Sequence, residues 1–323
     1  MRTRNKLAVA VAGLLLLAAA GPAAAQTRTL VAQGRYAEAE QVLSARVEAL
    51  EKSGPESRLL AATLNELGVV YRQQARYLEA ERMFRRSLLV YKRLGLERSP
   101  ASAPPLANVG LVYCDLRQYR KAEPLLRDAL ELWRKGSNPP LLETSAVLNN
   151  LAEVHRALNK YAEAEQGFQE VLDTLETSFG PDHAILAAPL NNLAMVYHSL
   201  GRDREAVAFS ERAVGIWEKT LGPEHPDLAT VLANLAGLYA GAGRRNDATL
   251  LYGRAIAIAE SSLGPQHPAT GHILSLYSVL LRQTKRNREA KATEKRAHAI
   301  LERSERENLQ HHTVDVSELR ASR

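Results

Sequence analysis

The motif L-x-x-[LVY]-[GAS] returns every 42 residues, with its first leucine at Leu64, Leu106, Leu148, Leu190, Leu232 and Leu274. A second series keeps the same interval: Ala80, Ala122, Ala164, Ala206, Ala248 and Ala290. In the later half Gly180, Gly222 and Gly264 form a third. Self-similarity at a fixed period of this size marks a solenoid, because one short unit cannot bury its apolar face alone and must stack on its neighbours. Such a chain displays a long open surface rather than an enclosed cavity, which favours binding over catalysis.

Each unit reads as two helices. In Asp227–Pro268, apolar residues at Leu228, Val231, Leu232, Leu235, Ala236, Leu238 and Tyr239 form a helical stripe. Ala240-Gly241-Ala242-Gly243 interrupts it with permissive backbone. A second stripe follows at Ala248, Leu251, Tyr252, Ala255, Ile256 and Ile258, and Leu263-Gly264-Pro265 closes it. These are helix A and helix B of one repeat. Small residues at Gly68, Gly110, Ala152, Ala194, Ala236 and Ser278 mark where the two helices approach closely. Tyr91, Trp133, Leu175 and Trp217 share one helix-B register, which makes both tryptophans inter-repeat core.

Six in-register copies of small, small and aromatic residues in a helix pair resemble the tetratricopeptide repeat, whose usual period is 34 residues. The longer period, with L-G-P-E-H-P at 221–226 and L-G-P-Q-H-P at 263–268, is similar to the kinesin-light-chain-like variant found in many bacterial proteins. Eight extra residues lengthen each helix by about 6 Å. The resemblance implies an all-α, right-handed superhelical solenoid whose A helices line a concave groove.

The ends depart from the pattern. YAEAEQVL at 36–43 repeats helix B at a spacing of 41 residues rather than 42, but its helix A would run back into residues 1–25, so residues 26–56 are expected to form a truncated capping repeat. Six repeats then occupy 57–306, the last of them charged on several faces as a terminal cap should be. Residues 307–323 lose all periodicity and are expected to be a mobile tail.

Residues 1–25 read as an export signal. Arg2, Arg4 and Lys6 precede an uncharged run from Leu7 to Ala20, and Ala23-Ala24-Ala25 offers a cleavage site before Gln26. The run is shorter than the ~20 residues that span a bilayer. Export to a periplasm or beyond is therefore expected. Cys114 is the only cysteine, which excludes both a lipidated first residue and an intrachain disulfide. Arg282, Lys285, Arg286, Arg288, Lys291, Lys295 and Arg296 cluster late in the chain. They are either the solvated face of a capping helix or a contact for an anionic surface such as a membrane. Nucleic acid is not expected as a partner, since no aromatic-plus-basic groove is visible.

The search for chemistry ends without a catalytic constellation. His183, His225 and His267 recur at 42 residues. Equivalent residues of stacked helices lie ~8–10 Å apart, too far to share one ion at ~2 Å bond lengths. No metal or cofactor is expected. There is no H-E-x-x-H, Gly-rich phosphate loop or G-x-S-x-G, and no sequence motif joins Cys114 to a base.

One polar series is more informative. Asn108, Asn150, Asn192 and Asn234 occupy one register of helix A, broken by Glu66 and Leu276 at the ends. Asparagine is a mediocre helix former, so its recurrence needs a cause. In the family the chain resembles, these asparagines line the groove and hydrogen-bond the backbone of an extended peptide. The other reading is that they bond between helices and fix repeat register. The candidate groove set is Asn108, Asn150, Asn192 and Asn234, flanked by Arg72, Arg156 and His198, whose cations favour acidic partners. The expected function is a non-catalytic scaffold gripping a peptide or protein partner. The alternative is an assembly component of an envelope complex that uses its convex or end surfaces.

Overall fold

The computed structural model describes residues 22–54 and 56–312. Among them every regular element is helical. In chain order these are α1 (Pro22–Ala32), α2 (Tyr36–Ser53), α3 (Arg58–Gln73), α4 (Tyr77–Arg93), α5 (Ala103–Asp115), α6 (Tyr119–Arg134) and α7 (Leu141–Ala157). Then follow α8 (Tyr161–Phe179), α9 (Ala187–Ser199), α10 (Asp203–Leu221), α11 (Leu228–Gly241), α12 (Arg245–Ser262), α13 (Pro268–Gln283) and α14 (Asn287–His312). Short 3-10 turns at Pro100–Ser102 and Ala184–Leu186 lead into α5 and α9. Odd-numbered helices from α3 onward are the A helices, and even-numbered ones the B helices. Of the expected leader only residues 22–25 are described, as the start of α1. Residues 313–323 of the expected tail also lie outside the described residues. Residues 307–312 continue α14 instead of leaving it, because Glu-Asn-Leu-Gln-His-His holds no Gly or Pro to end a helix.

The chain divides into two compact units, one up to Leu175 and one from Glu176 onward. In the first, Leu43, Leu64, Leu67 and Tyr91 bury together. Val69, Phe84 and Val109 form a second cluster, and Leu111, Leu126, Trp133 and Val154 a third. In the second unit Leu193, Trp217, Leu228 and Leu232 are fully buried. The tryptophans are core, as their register predicts. The small residues of helix A are required by close approach: a Cβ at Gly68 would stand 2.6 Å from the Phe84 ring, and one at Gly110 2.9 Å from Leu126.

The A-to-B turn has one design in all six repeats. The residue in left-handed conformation is Ala75, Arg117, Asn159, Gly201, Gly243 or Lys285, with φ between 58° and 81°. The next amide donates to a carbonyl near the end of helix A, as from Arg76 to Tyr71 at 2.9 Å and from Arg244 to Tyr239 at 2.8 Å. This satisfies carbonyls that the helix end leaves orphaned. Of the glycines in Gly241-Ala242-Gly243, only Gly243 takes the special backbone; Gly241 ends α11.

The B-to-A link explains the recurring histidines. His183, His225 and His267 each accept a backbone N–H at Nδ1, from Ile185 (3.3 Å), Asp227 (3.2 Å) and Ala269 (3.1 Å). They tie down the amides that open the next helical segment. The same link is gripped from outside. Arg212, Arg254 and Arg296 donate to the carbonyls of Pro181, Pro223 and Pro265, and pair with Glu176, Glu218 and Glu260 of the preceding B helix. Gly-Pro-x-His and the arginine therefore occur together. Where the link is absent the pair persists with altered chemistry: Arg134 faces Glu170, with the charges exchanged, and Arg86 faces Glu51.

An Nδ1 that accepts a hydrogen bond must be unprotonated, which gives these caps a pH dependence. Burial lowers the pKa of His267 below the ordinary imidazole value. A base with a lowered folded pKa holds its full stabilisation above the unfolded value of ~6.5 and loses it as pH falls from there through the lower folded pKa. Replacing His267 by asparagine, which caps without titrating, is expected to leave stability at pH 7.5 nearly unchanged. At pH 5 the variant should be more stable than wild type by about 1 kcal/mol, the usual worth of a cap. Urea unfolding at the two pH values measures this, and equal pH profiles for the two chains contradict it.

Candidate binding face

Within each unit the A helices lie side by side, so one register of every A helix meets its neighbour. The asparagine series occupies that register. In α5, Asn108 is 1% exposed and donates from Nδ2 to Oδ1 of Asn65 in α3, at 2.9 Å. In α11, Asn234 does the same to Asn191 of α9, at 3.2 Å. Asn150 of α7 turns onto its own helix and donates to the Ala146 carbonyl at 2.7 Å. Asn192 is half-buried. At Asn108 and Asn234 the series thus bonds repeat to repeat. Asn108 cannot meet a ligand in this arrangement, and its place in the candidate set is corrected: buried amides must pair, and this one has.

The flanking cations are also engaged. Arg72 donates to Asp115 at 2.6 Å, and the two side chains are only 16% and 7% exposed. Arg156 pairs with Glu153 at 2.6 Å, and that hydrogen bond holds the guanidinium above its usual range. His198 lies 2.7 Å from Asp203 at the surface. Both arginines thus already carry a carboxylate partner. The sequence analysis missed Asn65, Asn191 and Asp115. Asn65 and Asn191 stand one residue before the series, and the doublet Asn191-Asn192 was the available signal.

What stays accessible is clearest in the second unit. Thr230, Asn234, Gly237 and Gly241 follow one face of α11, and Gly237 and Gly241 open it to solvent. On α13 the matching face carries His272, Leu276 and Val279, the last two 45% and 52% exposed. These positions carry no carboxylate, lysine or arginine. The face offers amides and apolar carbon, which suit a peptide backbone and apolar side chains.

Elsewhere the surface is mixed. Arg282 pairs with Glu294, Arg286 with Glu289 and Arg296 with Glu260, while Lys285, Arg288, Lys291 and Lys295 are exposed. Among the described residues no helix is long and apolar enough to cross a membrane. Cys114 is half-buried.

A tetratricopeptide repeat model matches the sequence in five overlapping segments, 28–93, 59–135, 101–177, 143–219 and 186–261, which together span well over half of the chain. The chain belongs to the tetratricopeptide repeat family. Members of this family mediate protein–protein interactions. No curated protein matches the chain. Solved structures agree on the fold. A tetratricopeptide repeat protein from Parabacteroides merdae superposes with a TM-score of 0.58 at 17% identity, covering 92% of this chain and 94% of that one. A putative kinesin light chain from Podosopora anserina with nearly identical repeats gives 0.53 at 23% identity, covering 64% and 98%. BtubC from P. vanneervenii gives 0.52 at 18% identity, covering 75% and 92%. The kinesin-light-chain likeness seen in the 42-residue tetratricopeptide period is thus shared in the folded chain.

Proposed function

We propose that this tetratricopeptide repeat protein is a non-catalytic interaction scaffold that takes an extended peptide or protein segment on the open face of its A helices. The observation that carries this reading is the uncharged strip on α11 and α13. There the two glycines expose backbone, and Leu276 and Val279 stand in solvent with no covering helix. An exposed apolar patch free of charge is the usual chemistry of a peptide-docking surface. The partner is then recognised through its backbone and apolar side chains, with acidic side chains contributing little. The same reading takes the protein to act outside the cytoplasm, after cleavage before Gln26, and the leader pattern at residues 1–25 supports it.

The test is affinity capture from envelope extract, with the wild-type mature chain and with a variant carrying Leu276→Ser and Val279→Ser. Both side chains are exposed, so helical content should not change. The wild type is expected to enrich a partner that the variant loses. Equal recovery by both chains places the partner elsewhere and defeats the reading.

A further inference from the structure

The B helix α4 turns a stripe of leucine, arginine and lysine to solvent. Its buried residues, Ala80, Met83, Phe84, Ser87, Val90 and Tyr91, pack toward α3 and α5. On the opposite side, at helical spacing, stand Leu78, Arg82, Arg85, Leu89, Lys92 and Arg93, all of them exposed. Leu78 is 72% exposed and Leu89 49%. The two lie about 16 Å apart along the helix. No carboxylate shares the stripe; Glu79 and Glu81 lie to either side of it.

The next B helix continues the charge. Forty-two residues on, the same positions of α6 hold Arg120, Pro124, Arg127, Glu131 and Arg134, with Lys135 just past the helix end. Arg85 of α4 donates to the Tyr113 hydroxyl of α5 at 3.1 Å, and Lys121 of α6 stands over the same ring, so the two stripes lie side by side. Arg85, Arg127 and Arg134 pair with Glu81, Glu123 and Glu170. Arg82, Lys92, Arg93, Arg120 and Lys135 join no ion pair among the described residues. The fold does not require this chemistry. The same positions hold Ala162, Gln166, Gln169 and Asp173 in α8, and Asn246, Leu250, Gly253 and Ala257 in α12, without a cation.

A helix face that only meets water is stabilised by alternating the two signs of charge, whereas Arg82 and Arg85, three residues apart, oppose each other. Leucine gains nothing from exposure. Both costs are offset against a surface that is anionic and apolar within one plane. We propose that α4 and α6 dock the protein on an anionic phospholipid bilayer, with Leu78 and Leu89 entering the boundary between headgroups and acyl chains and the cations meeting lipid phosphates. Such an interface lays negative charge over hydrocarbon, which is the complement of this stripe. An acidic protein surface would satisfy the cations and leave the leucines in water. The proposal depends neither on the partner face of α11 and α13 nor on the export reading.

The test uses the full chain carrying Leu78→Trp. Trp133 and Trp217 are buried, so the added indole alone reports on the surface. On phosphatidylglycerol vesicles its emission should shift to the blue and be quenched by lipid brominated high on the acyl chain. On phosphatidylcholine vesicles neither should occur. The signal is local, so a leader held in lipid by its own apolar run does not produce it. Adding Arg82→Gln, Lys92→Gln and Arg93→Gln should weaken docking of the stripe by about 100-fold, roughly fivefold per cation, so that quenching at the same lipid concentration is lost while helical content stays unchanged. Quenching of equal strength on both kinds of vesicle, quenching on neither, or a triple variant quenched like its parent would each overturn the proposal. A response to soluble polyglutamate that vesicles do not give would overturn it as well and assign the stripe to an acidic protein.

Discussion

Replacing Trp217 by alanine is expected to destabilise the second unit by about 3–5 kcal/mol, the usual loss for a large aromatic in a close-packed core. The indole is fully buried on α10 and is the largest side chain so enclosed. Its loss leaves a cavity that two rows of helices cannot collapse to fill. The indole Nε1 has no hydrogen-bond partner, so the stabilisation is packing and apolar burial and not a polar contact. Trp217→Phe should therefore recover most of it. Urea unfolding followed by amide exchange in α10 and α11 measures both. A loss below about 1 kcal/mol for Trp217→Ala would show that this register is not core.

The second large effect belongs to the asparagine pair. Asn108→Ala removes the donor to Asn65 and leaves a buried amide oxygen with its desolvation uncompensated, at about 1–3 kcal/mol. A double-mutant cycle with Asn65→Ala isolates the contact and should give a coupling of at least about 1 kcal/mol. Asn234→Ala should cost less, because its contact to Asn191 is half-open to water. If Asn108→Ala is neutral in stability, the bond between neighbouring A helices contributes nothing to register.

These two cases show what could be read from the residues alone. Trp217 was legible as core because it recurs in one register with Tyr91, Trp133 and Leu175, and a periodic apolar residue in a solenoid has only the neighbouring repeat to bury against. The helix pairs and the glycine-proline links were legible for the same reason. The asparagine register was legible but its use was not, since the partner sits one position off in another repeat. The B-helix clamp escaped differently. Arg212, Arg254 and Arg296 recur at 42 residues, as do Glu176, Glu218 and Glu260, but nothing local pairs one series with the other, and in Arg134–Glu170 the charges are exchanged. The A-to-B turn hid differently: Ala75, Arg117, Asn159 and Lys285 take a left-handed backbone that local sequence does not announce. Glu66 looked like a mere gap in a series. Only its burial shows it to be an acid without a hydrogen-bond partner.

On the proposed reading the open A-helix face of the second unit receives the partner. Gly237 offers the cleanest test, because a Cβ added there meets nothing closer than the Tyr252 hydroxyl at 3.4 Å. Gly237→Arg therefore fills the face while leaving the helix beneath it intact, and α11 gains the propensity that glycine lacks. The measurement is the dissociation constant of the captured partner for wild type and Gly237→Arg, with thermal midpoints recorded beside it. The expected result is binding weakened by about thirtyfold or more, the loss typical of an obstructed interface centre, at a midpoint no lower than wild type. Unchanged affinity in a folded Gly237→Arg chain would contradict the account and place the partner on another surface.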